Sequence, residues 1–117
     1  MFRIWCRSKI SQARLTGVEL EYEGSITLPP ELVKAADILP GERVQVVNMN
    51  NGERLETYVI VGPAGSKDLM LNGPAARKGL PGDRIMILAY AVGSDDEVHP
   101  PMVVRLDENN EIIGITK

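Results

Sequence analysis

Histidine and cysteine, the side chains that most often carry acid–base and nucleophilic chemistry, each occur once, as His99 and Cys6. One of each cannot build a Cys/His zinc cluster within a chain, so no metal site is expected. His99 lies in Glu97-Val98-His99-Pro100-Pro101, a turn-like segment. It is expected as an exposed loop residue rather than as the base of a Ser-His-Asp triad. An enzyme with this inventory must draw its reactive group from somewhere less usual. The most suggestive segment is Glu21-Tyr22-Glu23-Gly24-Ser25-Ile26-Thr27-Leu28, although a Gly-Ser pair alone is ordinarily a turn or bulge.

The elements that must position these residues are mostly strands. Segments 2–7, 14–22, 43–49, 53–61, 68–71, 83–91, 102–106 and 111–116 are rich in β-branched and aliphatic residues. Asn51-Gly52 separates two of them and signals a hairpin, since both residues tolerate positive φ. In the strand after it, Leu55, Thr57, Val59 and Val61 share one face, so Thr57 and Tyr58 point to opposite sides. Two short helices interrupt the strands. One opens at Pro29-Pro30-Glu31 and stops at Pro40-Gly41; the other starts near Asn72-Gly73-Pro74 and ends at Gly79. The segment after each helix repeats, 41 residues apart: Leu39-Pro40-Gly41-Glu42-Arg43-Val44 and Leu80-Pro81-Gly82-Asp83-Arg84-Ile85. The repeat predicts two similar halves of one closed sheet, each a helix, a Pro-Gly turn and a buried strand. Closure also removes exposed strand edges. The acidic tail after Val92 suits a solvated loop before two final strands.

Bulk composition bounds the function. The 117 residues suit a single domain over 1–117, with 44% apolar and 25% charged residues. Aromatics are few, so the core must be aliphatic. Net charge is −3 and no basic run exceeds two residues, which argues against nucleic-acid binding. No apolar run approaches a membrane span, and the N-terminus lacks a signal-peptide pattern. A lone cysteine suits a reducing compartment, so a cytoplasmic location is expected.

Several of these pieces, taken in order, resemble the aspartate 1-decarboxylase family. They are Ser8-Lys9-Ile10, then Tyr22-x-Gly24-Ser25-x-Thr27, then Asn51-Gly52-x-Arg54-x-x-Thr57-Tyr58, then Asn72-Gly73-x-Ala75-Ala76. The resemblance runs from about residue 1 to residue 92. It implies a double-psi β-barrel that cuts itself between Gly24 and Ser25, giving chains 1–24 and 25–117. The Ser25 hydroxyl would attack the Gly24 carbonyl, where no side chain obstructs it. Loss of the resulting ester would leave Ser25 as a covalent pyruvoyl group, the cofactor. Its ketone would take up the amine of L-aspartate and act as the electron sink for loss of CO2. The product would be β-alanine, used for pantothenate and coenzyme A.

Roles for individual residues follow from the same resemblance. Thr57 would stabilise the oxyanion of the acyl shift and border the substrate. Tyr58, protonated at neutral pH with an ordinary pKa of about 10, would return a proton to the carbon that lost CO2. Arg54 would hold one carboxylate of aspartate through a planar two-point contact, and Lys9 would neutralise the other or sit near the pyruvoyl group, although an arbitrary lysine or arginine is more often a solvated strand charge. Asn72 and the backbone at Gly73, Pro74 and Ala75 would border the substrate, Pro74 without an N–H to offer. The resemblance also implies a homotetramer with active sites between subunits. It leaves open whether a helper protein assists maturation.

The chain departs from the family pattern at several points. Ser11 stands where the family has histidine, Pro74 where it has alanine, and Val47 where it often has an aromatic residue. The loop Pro63-Ala64-Gly65-Ser66-Lys67 is less basic than its counterpart. Two rival readings stay open at this level. One is a decarboxylase of another acidic amino acid such as glutamate, since one methylene is worth only roughly 1–3 kcal/mol of discrimination. The other is an uncleaved barrel that serves as a binding module.

Overall fold

A computed structural model describes residues 1–97 and 99–117. Val98, within the turn expected at 97–101, lies outside the described residues. Nine strands account for most of the regular structure: β1 (Phe2–Arg14), β2 (Gly17–Glu19), β3 (Ser25–Leu28), β4 (Arg43–Asn48), β5 (Arg54–Val61), β6 (Met70–Asn72), β7 (Arg84–Ser94), β8 (Met102–Leu106) and β9 (Ile112–Thr116). Helix α1 (Pro30–Ala35) follows β3, and 3-10 helices occupy Gly73–Lys78 and Asp95–Glu97.

The strands form one sheet in the order β2-β6-β3-β5-β4-β7-β1-β8-β9. Its curvature follows from connectivity. Strands β2 and β1 are first and seventh in that order, six spacings or roughly 29 Å apart across a flat sheet. Yet only Leu15 and Thr16 join them, and three Cα steps reach at most about 11 Å. The sheet must therefore wrap round. Hydrogen bonds from Thr16 N to Leu69 O (2.9 Å) and from Gly82 N to Leu15 O (2.7 Å) hold the join. The result is a mainly β fold consistent with the small barrel expected.

Alternation along each strand fills the interior. Ile10, Ile26, Val44, Val46, Val59, Leu71, Ile85 and Ile87 are buried together with Leu28 and, from α1, Leu32. Each such side chain contributes about 1.5–3 kcal/mol of burial. No aromatic ring is buried in this cluster among the described residues, as the composition requires.

The two Pro-Gly turns are built alike. Leu39 N donates to Glu42 Oε1 (3.1 Å) and Leu80 N to Asp83 Oδ2 (2.9 Å). Gly41 and Gly82 take φ of +83° and +93°, which only glycine adopts without strain. Gly41 N donates to Val59 O (2.8 Å) in the same way that Gly82 N bonds Leu15 O.

Four expectations shift. The strand expected at 14–22 is divided: β1 runs on to Arg14, β2 covers only Gly17–Glu19, and residues 20–24 are irregular. Strand β1 is continuous because two bulges absorb its irregularities, one of them with Gln12 at φ +64°. Helix α1 ends at Ala35, well before Pro40, where Asp37 takes φ +56° and closes the helix with bonds from Asp37 N to Lys34 O and Ile38 N to Val33 O. At Asn51-Gly52 only Gly52 has positive φ; the loop is longer than a two-residue turn, with Gly52 N bonded to Asn48 O.

Candidate active site

The chain segment that leads to Ser25 is exposed, and the serine itself is not. Leu20 and Tyr22 lie in solvent, Gly24 is half-buried, and Ser25, the first residue of β3, is 0% exposed. The cause is its register. Ser25 stands opposite Asn72 in the antiparallel β3–β6 pair, and Asn72 is itself only 4% exposed. Asn72 Nδ2 donates to Ser25 Oγ at 2.9 Å and to Thr27 Oγ1 at 2.8 Å. One NH2 group has two hydrogens, so both bonds are available to it at once. Asn72 occupies the N-cap position of the 3-10 helix, yet its side chain does not cap it. The side chain whose oxygen would ordinarily accept from the helix start instead turns its NH2 group onto Ser25 and Thr27.

The close approach at this junction depends on Gly73. Gly73 has φ +68°, and a methyl group there would lie 2.5 Å from Tyr22 O, 2.8 Å from Gly24 N and 2.9 Å from Gly24 Cα. The backbone after β6 is therefore pressed flush against residues 22–24, an approach only glycine permits. On the other side, Pro74 Cδ is 3.8 Å from the place a Gly24 side chain would take. Gly24 thus lies between the Gly73 backbone, which approaches it closely, and the Pro74 ring, which is at ordinary contact distance. These residues fit a group made from Ser25: a buried hydroxyl fixed by one amide, next to a carbonyl carbon without a neighbouring side chain.

Strand β5 runs parallel to β3 with Ile26 opposite Val59. One residue earlier on each strand stand Ser25 and Tyr58. Thr57 is half-buried on the inward face and Tyr58 is 39% exposed on the outward face, the opposed orientation that alternation predicts. Arg54 shares the outward face with Tyr58, and its Nη1 donates to Gln45 Oε1 at 2.8 Å. Lys9 faces outward from β1, paired with Leu88, whose other neighbour is Gln45. Lys9 and Arg54 thus share the outer surface of the sheet. Among the described residues, neither hydrogen-bonds the Ser25 cluster.

The structure thus brings Gly24, Ser25, Asn72, Gly73 and Pro74 into direct contact. It sets Thr57 and Tyr58 on the adjacent strand and holds Lys9 and Arg54 apart from Ser25 within one chain. Ala75 is half-buried and packs on the core. The helix expected at Asn72-Gly73-Pro74 is a single 3-10 segment of six residues. Ser11 lies on β1 opposite Arg105, Val47 is opposite Arg54, and Lys67 is spent on ion pairs with Glu31 and Glu111. His99 is exposed, outside any strand or helix. Sequence reasoning missed three partners: Thr27 beside Asn72, and Gln45 with Tyr90 beside Arg54. Thr27 was signalled by its two-residue spacing from Ser25; the other two depend on strand pairings that the sequence does not announce.

Comparison with known proteins gives a consistent result. The family described as aspartate decarboxylase matches residues 1–113. An aspartate 1-decarboxylase of Kosmotoga olearia is 55% identical over 113 residues, covering 97% of this chain and 98% of that protein. One from Salinibacter ruber is 53% identical over 108 residues, covering 91% of this chain and 74% of the relative. One from Moorella thermoacetica is 50% identical over 119 residues, covering 100% and 93%.

Proposed function

The chain belongs to the aspartate decarboxylase family, and from that premise we propose that it matures by cutting itself at Gly24–Ser25 and uses the product to decarboxylate aspartate. It is a carboxy-lyase of pantothenate biosynthesis. The observation that carries the self-cleavage reading is the buried Ser25 hydroxyl, held 2.9 Å from the Asn72 amide beside a cradled Gly24.

In this reading the Ser25 oxygen attacks the Gly24 carbonyl carbon. The C–N bond breaks, the hydroxyl proton passes to the Ser25 nitrogen, and an ester replaces the peptide. Asn72 holds the attacking oxygen in line, and Thr57 on the adjacent strand stabilises the oxyanion. Removal of the Cα proton of residue 25 then expels the Gly24 carboxylate. Water takes the nitrogen off as ammonia, leaving a pyruvoyl group at the head of chain 25–117. That group, once formed, supplies a ketone that holds the amine of aspartate and accepts the electron pair left as CO2 departs.

The remaining tasks fall to ordinary side chains. Arg54 grips one substrate carboxylate and Lys9 neutralises the other. Asn72 and the backbone N–H groups of Gly73 and Ala75 border the substrate, with Pro74 shaping the wall. Tyr58 holds a phenolic proton and delivers it to the product carbon. As the resemblance implies, the site is completed between subunits of a homotetramer, and the placing of Lys9 and Arg54 on the outer surface, away from Ser25 in one chain, supports this reading. The exposed apolar residues Phe2, Ile4 and Val92, with Ile4 and Val92 paired across β1 and β7, support such an interface. No helix among the described residues is long and apolar enough to cross a membrane. The free cysteine, Cys6, suits the cytoplasm.

An intact mass spectrum of the purified protein under denaturing conditions tests the proposal. Two species, 1–24 and a pyruvoyl-terminated 25–117, are expected. A single full-length species that nonetheless decarboxylates aspartate would overturn it.

A further inference from the structure

Arg54 has an unusual companion. Its Nη1 donates to Gln45 Oε1 at 2.8 Å, and the Tyr90 hydroxyl donates to the same oxygen at 2.7 Å. Arginine has no acceptor atom, so the Gln45 amide must turn its oxygen toward Arg54. Tyr90 then locks that choice from a third strand: Gln45 lies on β4, Arg54 on β5 and Tyr90 on β7.

The acids near Arg54 are engaged elsewhere. Glu56, opposite Gln45 in the β4–β5 register, pairs with Arg43, and Glu53 pairs with Lys78. The guanidinium is therefore oriented by a neutral group and keeps its charge uncompensated. A carboxylate in the place of Gln45 would aim Arg54 as well, but would occupy the charge that a substrate carboxylate needs. Lys9 joins the same surface through the row Lys9, Leu88, Gln45, so the face presents Lys9 and Arg54 about a fixed amide, beside the Arg43–Glu56 ion pair.

We infer that Gln45 and Tyr90 are positioning residues that aim the Arg54 guanidinium at a carboxylate of the substrate, and so set the KM for aspartate and the discrimination against glutamate. The inference rests on the role given to Arg54 above. A longer acid places its second carboxylate farther from the amine, and only a guanidinium held in one direction distinguishes the two lengths.

The test uses the full chain carrying Gln45→Met, Tyr90→Phe or Arg54→Lys, and the double variant of Gln45→Met with Arg54→Lys. Each is first assayed by mass for self-cleavage, which these residues do not touch, and then for kcat and KM with aspartate and glutamate. Cleavage equal to the parent is expected throughout. Gln45→Met should raise KM for aspartate about fivefold with kcat nearly unchanged, as for one partly exposed hydrogen bond to a charged group. Tyr90→Phe should raise it about twofold, and both should narrow the preference for aspartate over glutamate. In the Arg54→Lys background, Gln45→Met should add nothing, the non-additivity of residues acting through one another. An unchanged KM in Gln45→Met, with the parent cleaved and active, overturns the positioning role alone. A parent that stays whole overturns it together with the reading on which it rests.

Discussion

The chain contains the same dipeptide at corresponding places in its two halves, and only one copy has its serine buried against a side-chain amide. Gly24-Ser25 and Gly65-Ser66 are 41 residues apart, the spacing that also relates the two Leu-Pro-Gly-acid turns. Around the turns the halves match closely. Arg7 reaches Glu42 and the Asp37 carbonyl; Asn48, 41 residues later, reaches Asp83 (2.8 Å) and the Lys78 carbonyl (3.1 Å). At the Gly-Ser pairs they diverge. Ser25 starts a buried strand beside Asn72, whereas Gly65 takes φ +81° in a turn. There Ser66 Oγ accepts from Asp68 N at 3.0 Å, a local turn contact. The position matching Asn72 in the first half is Glu31, which pairs with Lys67. On the proposed mechanism, reactivity would come from the strand register that buries one serine against an amide, since the dipeptide by itself recurs without it.

The largest expected effect separates the two serines. Ser25→Ala should leave the chain whole and without decarboxylase activity, a loss of every turnover attributable to the pyruvoyl group. Ser66→Ala should cleave and turn over as the parent does. Mass and activity measured side by side decide it, and activity surviving in Ser25→Ala would sink the mechanism.

Glycines give the next comparison. Gly73 and Gly65 both have positive φ, but a methyl group at 73 would strike the backbone of residues 22 and 24, while one at 65 meets nothing within 4 Å. Gly65→Ala should cost only the strain of the left-handed region, about 1 kcal/mol, and leave maturation unchanged. Gly73→Ala carries that strain and must also displace the backbone of residues 22 and 24. A slowing of self-cleavage of at least about tenfold is expected, the consequence of moving the attacking groups by a fraction of an ångström to an ångström. Equal cleavage rates in the two variants would mean that the close approach at Gly73 has no part in maturation.

This contrast also marks how far the sequence could be read. The Pro-Gly turns were legible because proline and glycine act locally, and their repeat implied the two similar halves now seen. The opposed directions of Thr57 and Tyr58 followed from alternation alone. Strand β3 was not legible: four residues after a Gly-Ser pair offer no period to count, and its place is set by Asn72 across the ladder and Val59 alongside. The continuity of β1 was hidden for a similar reason, since Gln12 at φ +64° breaks the alternation that identifies a strand. The resemblance supplied Ser25, Tyr58 and Arg54 as candidates. The contacts that hold two of them, Asn72 on Ser25 and Gln45 with Tyr90 beside Arg54, depend on pairings between distant segments.

A third Gly-Ser pair, Gly93-Ser94, sharpens the comparison at its smallest scale. Here the hydroxyl belongs to carboxylates: Ser94 Oγ lies 2.6 Å from Asp96 Oδ1 and 2.7 Å from Glu97 Oε1, and Ser94 N donates to Glu97 at 2.8 Å. The Ser94 side chain, with a lesser backbone contribution, holds the Asp96 carboxyl below its usual range; the Ser94 N–H, then its hydroxyl, does the same for Glu97. A carboxyl whose folded pKa is depressed contributes stability above its ordinary pKa and loses it as pH falls through the lowered value. Ser94→Ala removes the hydroxyl share of that contribution. Its melting temperature should therefore lie slightly below that of the parent near neutral pH, and the gap should close as the solution is acidified below the carboxylate range. Both carboxylates are fully exposed, so the gap should be small and should shrink with added salt. Self-cleavage should be unaffected, because at this pair the serine oxygen serves a surface turn. A gap that persisted unchanged at low pH would show that Ser94 acts through packing, and that its carboxylates are bystanders.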